Sequence, residues 1–365
     1  MSGPRVVITH DFMETYGGAE RVTQEMALAF PDAPVVALLG RPAVAERMGV
    51  AERFHSVLGA RPRLLRRYRT LAPVFPALAD RVRLPEADVV LSSSYAYAHR
   101  FRTPADAPRV CYCHSPLRFA WSMTEGYRDE WAGAGPAGRA FELFAAAMRG
   151  SDRRSAQGVR EYLTQSPFTA EQIERFYGRD ATVIGAPVDC DLFRPDGEPG
   201  DYFLLCGRLI EPYKKVTVAI EAFRRLGRRL VIAGDGPALE SLRATAPANV
   251  EFTGHLGDDE LVPLMQGCLA AVFPSRDDFG LIPVEVMACG RPVIAYGAGG
   301  ALHTVVPGRT GVLFGDQTPD ALEHAVAEFD PGSFDPAAVR AHAEQWDKRR
   351  FRGRLVEAVD RAAGR

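Results

Sequence analysis

Short apolar runs alternate with stretches of helical periodicity from one end of the chain to the other, and that alternation confines it to parallel βα architecture. In the first half the runs are VVITH (6–10), VVALL (35–39), DVVLSSS (88–94), RVCYC (109–113) and EYLTQ (161–165). In the second half they are YFLLC (202–206), RLVIAG (229–234), NVEFTG (249–254), AAVFPS (270–275), RPVIA (291–295) and GVLF (311–314). A length of 365 residues exceeds what one core supports, so two doubly wound sheets are expected, one per half. The stretch APVDCDLFRPDGEPGDY (186–202) is rich in Pro, Gly and Asp and lacks periodicity, which makes it the linker between them.

Composition removes several classes of function. With 47% hydrophobic and 25% charged residues the chain is neither disordered nor fibrous. A net charge of -2 lacks the basic footprint of a dedicated nucleic-acid binder. The opening MSGPRVVITHDF carries too short an apolar run for a secretory signal, and no later stretch approaches the ~20 apolar residues of a membrane helix, so a cytoplasmic protein is expected. Cys111, Cys113, Cys190, Cys206, Cys268 and Cys289 form no CxxC pair and read as reduced core thiols, not a zinc site.

In an open α/β sheet ligands bind outside the carboxyl ends of the strands, so the residues after each run are the first suspects. Run 6–10 leads into HDFMETYGGAERV, where Gly17 and Gly18 precede a helix beginning near Ala19; such glycines either admit a phosphate to backbone N–H groups or simply turn the chain. Run 202–206 leads into GRLIEPYKK. Of 44 basic residues only Lys214, Lys215 and Lys348 are lysines, so the adjacent pair marks a place suited to a compact ammonium. Arg208 and Lys214 there could meet the two charges of a pyrophosphate, or form a solvated basic loop. FGLIPVEVMAC reads as a helix start with open N–H groups across Phe279, Gly280, Leu281 and Ile282, aimed at a phosphate. Glu285, one turn further in, can accept hydrogen bonds from a ribose diol, and Asp277 in the preceding loop can face a sugar ring; a preference for acids near a helix N-terminus is the simpler alternative. His114 ends the run RVCYC. Asp189 and Asp191 in DCD read as turn residues, with a metal site discounted. RPRLLRRYR (61–69), followed by LAPVFPALADRVRL, has the basic amphipathic character either of a surface for an anionic membrane or lipid phosphate, with contact through residues 61–83 at the inner face of the membrane, or of a solvated helix in an Arg-rich chain.

The ordered set GGAERV, SSSYAYAH, YCHSPLRFAW, TQSPFTA, PVDCDLF, GRLIEPYKKVTVAIEAF, IAGDGP, NVEFTGHL, FGLIPVEVMACGRPVIA, GAGG and GRTGVLF resembles the retaining glycosyltransferases of family 4, and YCHSPLRFAW is similar to bacterial mannosyltransferases of polysaccharide biosynthesis. The resemblance implies the GT-B fold, two Rossmann-like domains facing a central cleft. It implies an acceptor-binding domain over 1–185, a nucleotide-sugar-binding domain over 186–345, and a C-terminal helix over 346–365 returning to the first domain. It also implies that Arg208 and Lys214 bind the donor diphosphate, Glu285 the ribose and Asp277 the transferred sugar, that His114 meets a donor-sugar hydroxyl, and that Gly17 and Gly18 close the phosphate site. Three positions depart from the family. Asp277 stands where the family has the first of two glutamates, the Arg208 to Lys214 spacing is six residues, which leaves Lys215 a rival, and His303 replaces a common Glu.

The expected activity is transfer of a hexose, with mannose from GDP-mannose as the first guess, to a hydroxyl of a glycan, lipid-linked or small-molecule acceptor, with retained configuration, no metal and no cofactor. Alternatives are a nucleotide-sugar epimerase or phosphorylase on the same fold, and a non-catalytic two-lobed binding protein.

Overall fold

The computed structural model describes residues 3–59, 74–104, 107–133 and 135–365. It divides into two compact units, Met1–Pro187 with Arg349–Arg365, and Val188–Lys348.

The first unit is built on seven parallel strands: β1 (Val6–Met13), β2 (Val35–Gly40), β3 (Phe54–Ser56), β4 (Val89–Ser94), β5 (Arg109–Cys113), β6 (Glu161–Thr164) and β7 (Ala181–Val183), in the order β3-β2-β1-β4-β5-β6-β7. The second has six: β8 (Tyr202–Cys206), β9 (Arg229–Ala233), β10 (Val250–Gly254), β11 (Ala271–Phe273), β12 (Val293–Tyr296) and β13 (Gly311–Phe314), in the order β10-β9-β8-β11-β12-β13. The order reverses between β1 and β4 in one sheet and between β8 and β11 in the other, and at such a point the flanking crossovers part and leave room for a ligand. β3 and β7 are the strands that the sequence pattern does not reveal, three-residue edge strands with no apolar run to announce them.

Central strands buried on both faces read as continuous apolar runs. β1 is buried along all eight residues, yet it carries Thr9, His10 and Asp11 in its second half. Thr9 is register-paired with Ser92 and His10 with Ser93, so these two polar side chains each have a polar neighbour one strand away. The core below is apolar: Val6, Ile8, Val89, Val110 and Tyr112 pack against Met26 of the Gly18–Ala29 helix and against Phe351, Leu355 and Val359 of the Lys348–Ala362 helix. The chain's last residues thus complete the core of its first unit. In the second unit Phe203, Leu205, Ile232 and Ile294 pack against Ile220 and Phe223 of the Val216–Leu226 helix, whose apolar face repeats at three and four residues.

The stretch 61–69 and the rest of 60–73 lie outside the described residues. Of the residues expected at a membrane surface, those after 73 are described, and several of them face inward. Phe75, Ala79, Val82 and Leu84 are buried and pack with Phe12, Tyr97 and Phe101, because a short helix, Phe75–Ala79, turns them inward. Among the described residues no helix is long and apolar enough to cross a membrane.

Candidate functional site

In the second unit the loops after β8, β9, β11 and β12 stack backbone on backbone. Gly234 and Gly236, after β9, lie so close to the carbonyls of Gly207 and Leu209 that a Cβ at either position would overlap them. Gly300 packs against the backbone of Phe279 in the same way, and its N–H donates to the Asp277 carbonyl at 2.8 Å. The motifs GRL, GDGP and GAGG therefore share one cause, close approach of neighbouring loops at the carboxyl ends of the strands.

That stack fixes the helix Leu281–Ala288. Gly280 caps it in a left-handed conformation (φ 84°) and supplies no side chain, so the first-turn N–H groups have no side-chain cap. Gly207 abuts Ile282, which brings the strand end beside Arg208 against this helix start. Glu285 is buried one turn in, and it raises the pKa of the nearby buried thiols Cys206 and Cys289, whose larger shift comes from burial itself.

Lys214 and Asp277 meet here. Lys214 Nζ donates to Asp277 Oδ2 at 2.5 Å, with the two side chains 21% and 19% exposed. Asp277 Oδ1 is buried and has no hydrogen-bond partner. Lys215 instead occupies the N-cap of the Val216–Leu226 helix with φ 55°, the one non-glycine residue at positive φ among the described residues. Of the two lysines, Lys214 is the one that joins the carboxylate. Arg208 is exposed at the end of β8.

His303 gains a physical account. The Trp346 indole meets the rings of Phe279, His303 and His342 edge-on, at centroid distances of 5.8, 5.7 and 5.1 Å. Burial, and secondarily His342, lower the pKa of His303, so a neutral ring at this position extends the aromatic packing behind Phe279. A glutamate would place a carboxylate against the indole instead. Trp346 lies within the second unit, Val188–Lys348. Asp189 is a turn residue, its Oδ1 accepting from the N–H groups of Asp191 and Leu192, while Lys348 Nζ donates to its Oδ2 at 2.6 Å.

In the first unit the carboxyl ends of β1, β4 and β5 carry a buried polar cluster. Asp11 accepts from the four successive amides of Tyr95, Ala96, Tyr97 and Ala98, which folds SSSYAYAH into a tight turn over the strand ends. His114 Nε2 lies 2.8 Å from Ser93 Oγ, and the ring is enclosed by Tyr112 and Tyr95. Burial pushes its pKa down to about 3, with His10 and Arg118 adding to the effect, so His114 is neutral at any working pH and can make hydrogen bonds but cannot deliver a proton as an acid. Asp152 anchors the following loop by accepting from Trp121 Nε1 at 2.9 Å and from the Tyr177 hydroxyl at 2.8 Å. Gly17 and Gly18 do begin the Gly18–Ala29 helix, but the Gly17 N–H already donates to Glu20 Oε2 at 3.0 Å.

His10, Asp11, Glu20 and Ser93 escape the sequence reading. The signal that could have found them is the polar THD inside the apolar run VVITHDFM, facing the SSS that ends β4.

The family profile described as Glycosyltransferase Family 4 matches residues 16–192, and that described as Glycosyl transferases group 1 matches residues 200–329. The chain belongs to glycosyltransferase family 4. This family 4 chain is 31% identical over 229 residues to a GDP-mannose-dependent alpha-(1-6)-phosphatidylinositol monomannoside mannosyltransferase of Mycobacterium tuberculosis, across 53% of this chain and 58% of that protein. It is 32% identical over 217 residues to a glycogen synthase of the same species, across 54% of this chain and 50% of that one. The chain spans about half the length of the curated relatives it matches. Among solved structures, Anabaena HepE in complex with UDP superposes with a TM-score of 0.73 at 18% identity, covering 98% of this chain and 100% of that one. That likeness establishes the fold as GT-B.

Proposed function

We propose that the protein transfers a hexose from a nucleotide-diphosphate sugar to an acceptor hydroxyl with retention of configuration, and that GDP-mannose is the donor. The observation that carries this reading is the arrangement around Asp277. One carboxylate oxygen is held by Lys214 and the other is buried without a partner, beside the uncapped start of the Leu281–Ala288 helix. An unsatisfied buried acceptor costs about 1–3 kcal/mol, a cost that a sugar hydroxyl donating to Oδ1 would remove. The helix amides, Lys214 and Arg208 would then face the diphosphate.

In this reading the bond between the anomeric carbon and the β-phosphate oxygen breaks while the acceptor oxygen attacks the same face, and the acceptor's proton passes to the departing phosphate. Cations and helix amides stabilise the charge on that phosphate, the electrostatic contribution that usually dominates such catalysis, and a metal would be redundant. Glu285 holds the ribose. His114, neutral, accepts from or donates to a sugar hydroxyl. The mannosyltransferase relative supports the choice of GDP-mannose, and UDP-glucose is the alternative donor.

The test is turnover of a panel of nucleotide sugars, with EDTA present, by the purified chain. Product from GDP-mannose with an axial anomeric linkage by NMR supports the reading. Failure of every nucleotide sugar to raise the melting temperature, with no turnover, rejects it. Calorimetry on Glu285→Gln should show weakened donor binding, and an unaltered affinity would remove the ribose role.

A further inference from the structure

His114 does not stand alone. A continuous hydrogen-bonded chain runs from it to a carboxylate: Ser93 Oγ lies 2.8 Å from His114 Nε2, His10 Nδ1 lies 3.1 Å from Ser93 Oγ, and Glu20 Oε1 lies 3.5 Å from His10 Nε2. Thr23 Oγ1 joins from the side, 2.8 Å from Ser93 Oγ, 3.0 Å from His10 Nδ1 and 2.9 Å from the Ala19 carbonyl. His10, Thr23 and Ser93 are fully buried, so none of them can touch a substrate. Their conceivable contribution is to the state of the one ring in the chain that reaches solvent.

The hydrogens can be counted. Glu20 as a carboxylate only accepts, so with a single ring hydrogen His10 turns Nε2–H toward it and leaves Nδ1 as a lone pair. A hydroxyl must then donate to that lone pair. Two oxygens 2.8 Å apart also need a hydrogen between them: Thr23 gives its one hydrogen to Ser93, forgoing the Ala19 carbonyl, or takes the Ser93 hydrogen while giving its own to His10 Nδ1. In either case Ser93 spends its hydrogen on His10 Nδ1 or on Thr23 and presents a lone pair to His114 Nε2. That lone pair requires a hydrogen on Nε2. The opposite arrangement, with Thr23 donating to His10 and Ser93 to His114, leaves the two hydroxyl oxygens in lone-pair contact.

We propose that Glu20, His10 and Ser93 are positioning residues that hold His114 as the Nε2–H tautomer, so that its Nδ1 presents a lone pair that accepts a hydroxyl of the substrate. Among the described residues Nδ1 has no hydrogen-bond partner of its own. The tautomer follows from the protein alone, whereas the substrate hydroxyl rests on the transferase reading above.

Glu20→Gln tests the relay while sparing the fold. Glutamine serves as well as glutamate in a capping box, so its carbonyl oxygen can still accept the Gly17 N–H. Its amide NH₂ then faces His10 and donates to Nε2, which moves the ring hydrogen to Nδ1. The Ser93 carbonyl, 3.2 Å from Nδ1, is placed to receive it. The Ser93 hydroxyl hydrogen is released toward His114, which must change to the Nδ1–H form.

Histidine ¹⁵N shifts and ring couplings in the full chain, with His114 identified by its loss in His114→Asn, read the tautomer directly. The expected result is Nε2–H in the wild type and Nδ1–H in Glu20→Gln at an unchanged melting temperature, with kcat for the donor reduced about tenfold and KM unchanged. Ser93→Ala, which deletes the acceptor of the Nε2 hydrogen, should give a mixture of the two forms. A wild-type His114 in the Nδ1–H form, or a tautomer indifferent to both substitutions, overturns the proposal. That spectrum needs no donor, so inactivity toward every nucleotide sugar would reject the transferase reading and leave the relay standing.

Discussion

Lys214 and Asp277 are 63 residues apart in the chain, yet the ammonium of one sits 2.5 Å from a carboxylate oxygen of the other, across the point where β8 and β11 lie side by side. The shorter acid is part of the reason for the geometry. Asp277 reaches Lys214 with one oxygen while the second stays buried without a hydrogen-bond partner. The two groups are therefore coupled, and neither can be removed without leaving the other's charge uncompensated in a half-buried site.

Lys214→Ala should lower donor-dependent turnover by about one to two decades, the ~1.5–3 kcal/mol of a hydrogen bond to a charged group. Steady-state rates check this. Combining it with Asp277→Asn should cost less than the sum of the two single changes, because each removes the same contact. A wild-type rate for Lys214→Ala would transfer the role to Lys215.

Lys215→Gly should stabilise the second unit by ~1 kcal/mol, since the left-handed conformation that lysine adopts with difficulty is open to glycine, and glycine is acceptable at an N-cap. Denaturant melts would record it. A loss of stability would mean that the Lys215 side chain makes a contact worth more than the strain.

Asp11→Ala should destabilise the first unit by at least ~3 kcal/mol, because four amides that now share one carboxylate would be left in a dry turn. Asp11→Asn keeps an acceptor for part of the turn and should fall between. Equilibrium unfolding of the three proteins gives the ranking.

Acidification should weaken both units. The folded pKa of His114 lies far below the ~6.5 of an unfolded histidine, so below pH 6.5 the unfolded chain takes up a proton that the folded ring refuses. The stability associated with the neutral ring is complete above pH 6.5 and declines by about 1.4 kcal/mol per pH unit down to about 3, or ~2 kcal/mol at pH 5. His303 and His342, lowered by burial, act in the same direction in the second unit. Melts at pH 7.5 and 5.0 measure the loss, and His114→Gln should flatten the first unit's share of it.

The strands of both sheets could be read from apolar runs because burial on both faces leaves no polar alternation to confuse them. Phe54–Ser56 and Ala181–Val183 could not, since three residues at a sheet edge need no hydrophobic face. The helix start at Leu281 and the importance of Asp277 and Lys214 were legible as local motifs. Their pairing was not, because it depends on which strands become neighbours. The Glu20–His10–Ser93 chain was hidden for the same reason: its members come from β1, the Gly18–Ala29 helix and β4, and meet only once the sheet order is set. His303 looked anomalous until Trp346, far along the chain, supplied the ring against which it packs.

The interleaved path of the backbone has a consequence for biosynthesis. Because Phe351, Leu355 and Val359 fill the hydrophobic interior that Val6 and Ile8 begin, a ribosome that has translated residues 1–187 holds an incomplete body. Val188–Lys348 can close first, and the amino-terminal body is sealed only once the Lys348–Ala362 helix has emerged, so truncation ahead of that helix exposes the oldest part of the polypeptide rather than the newest.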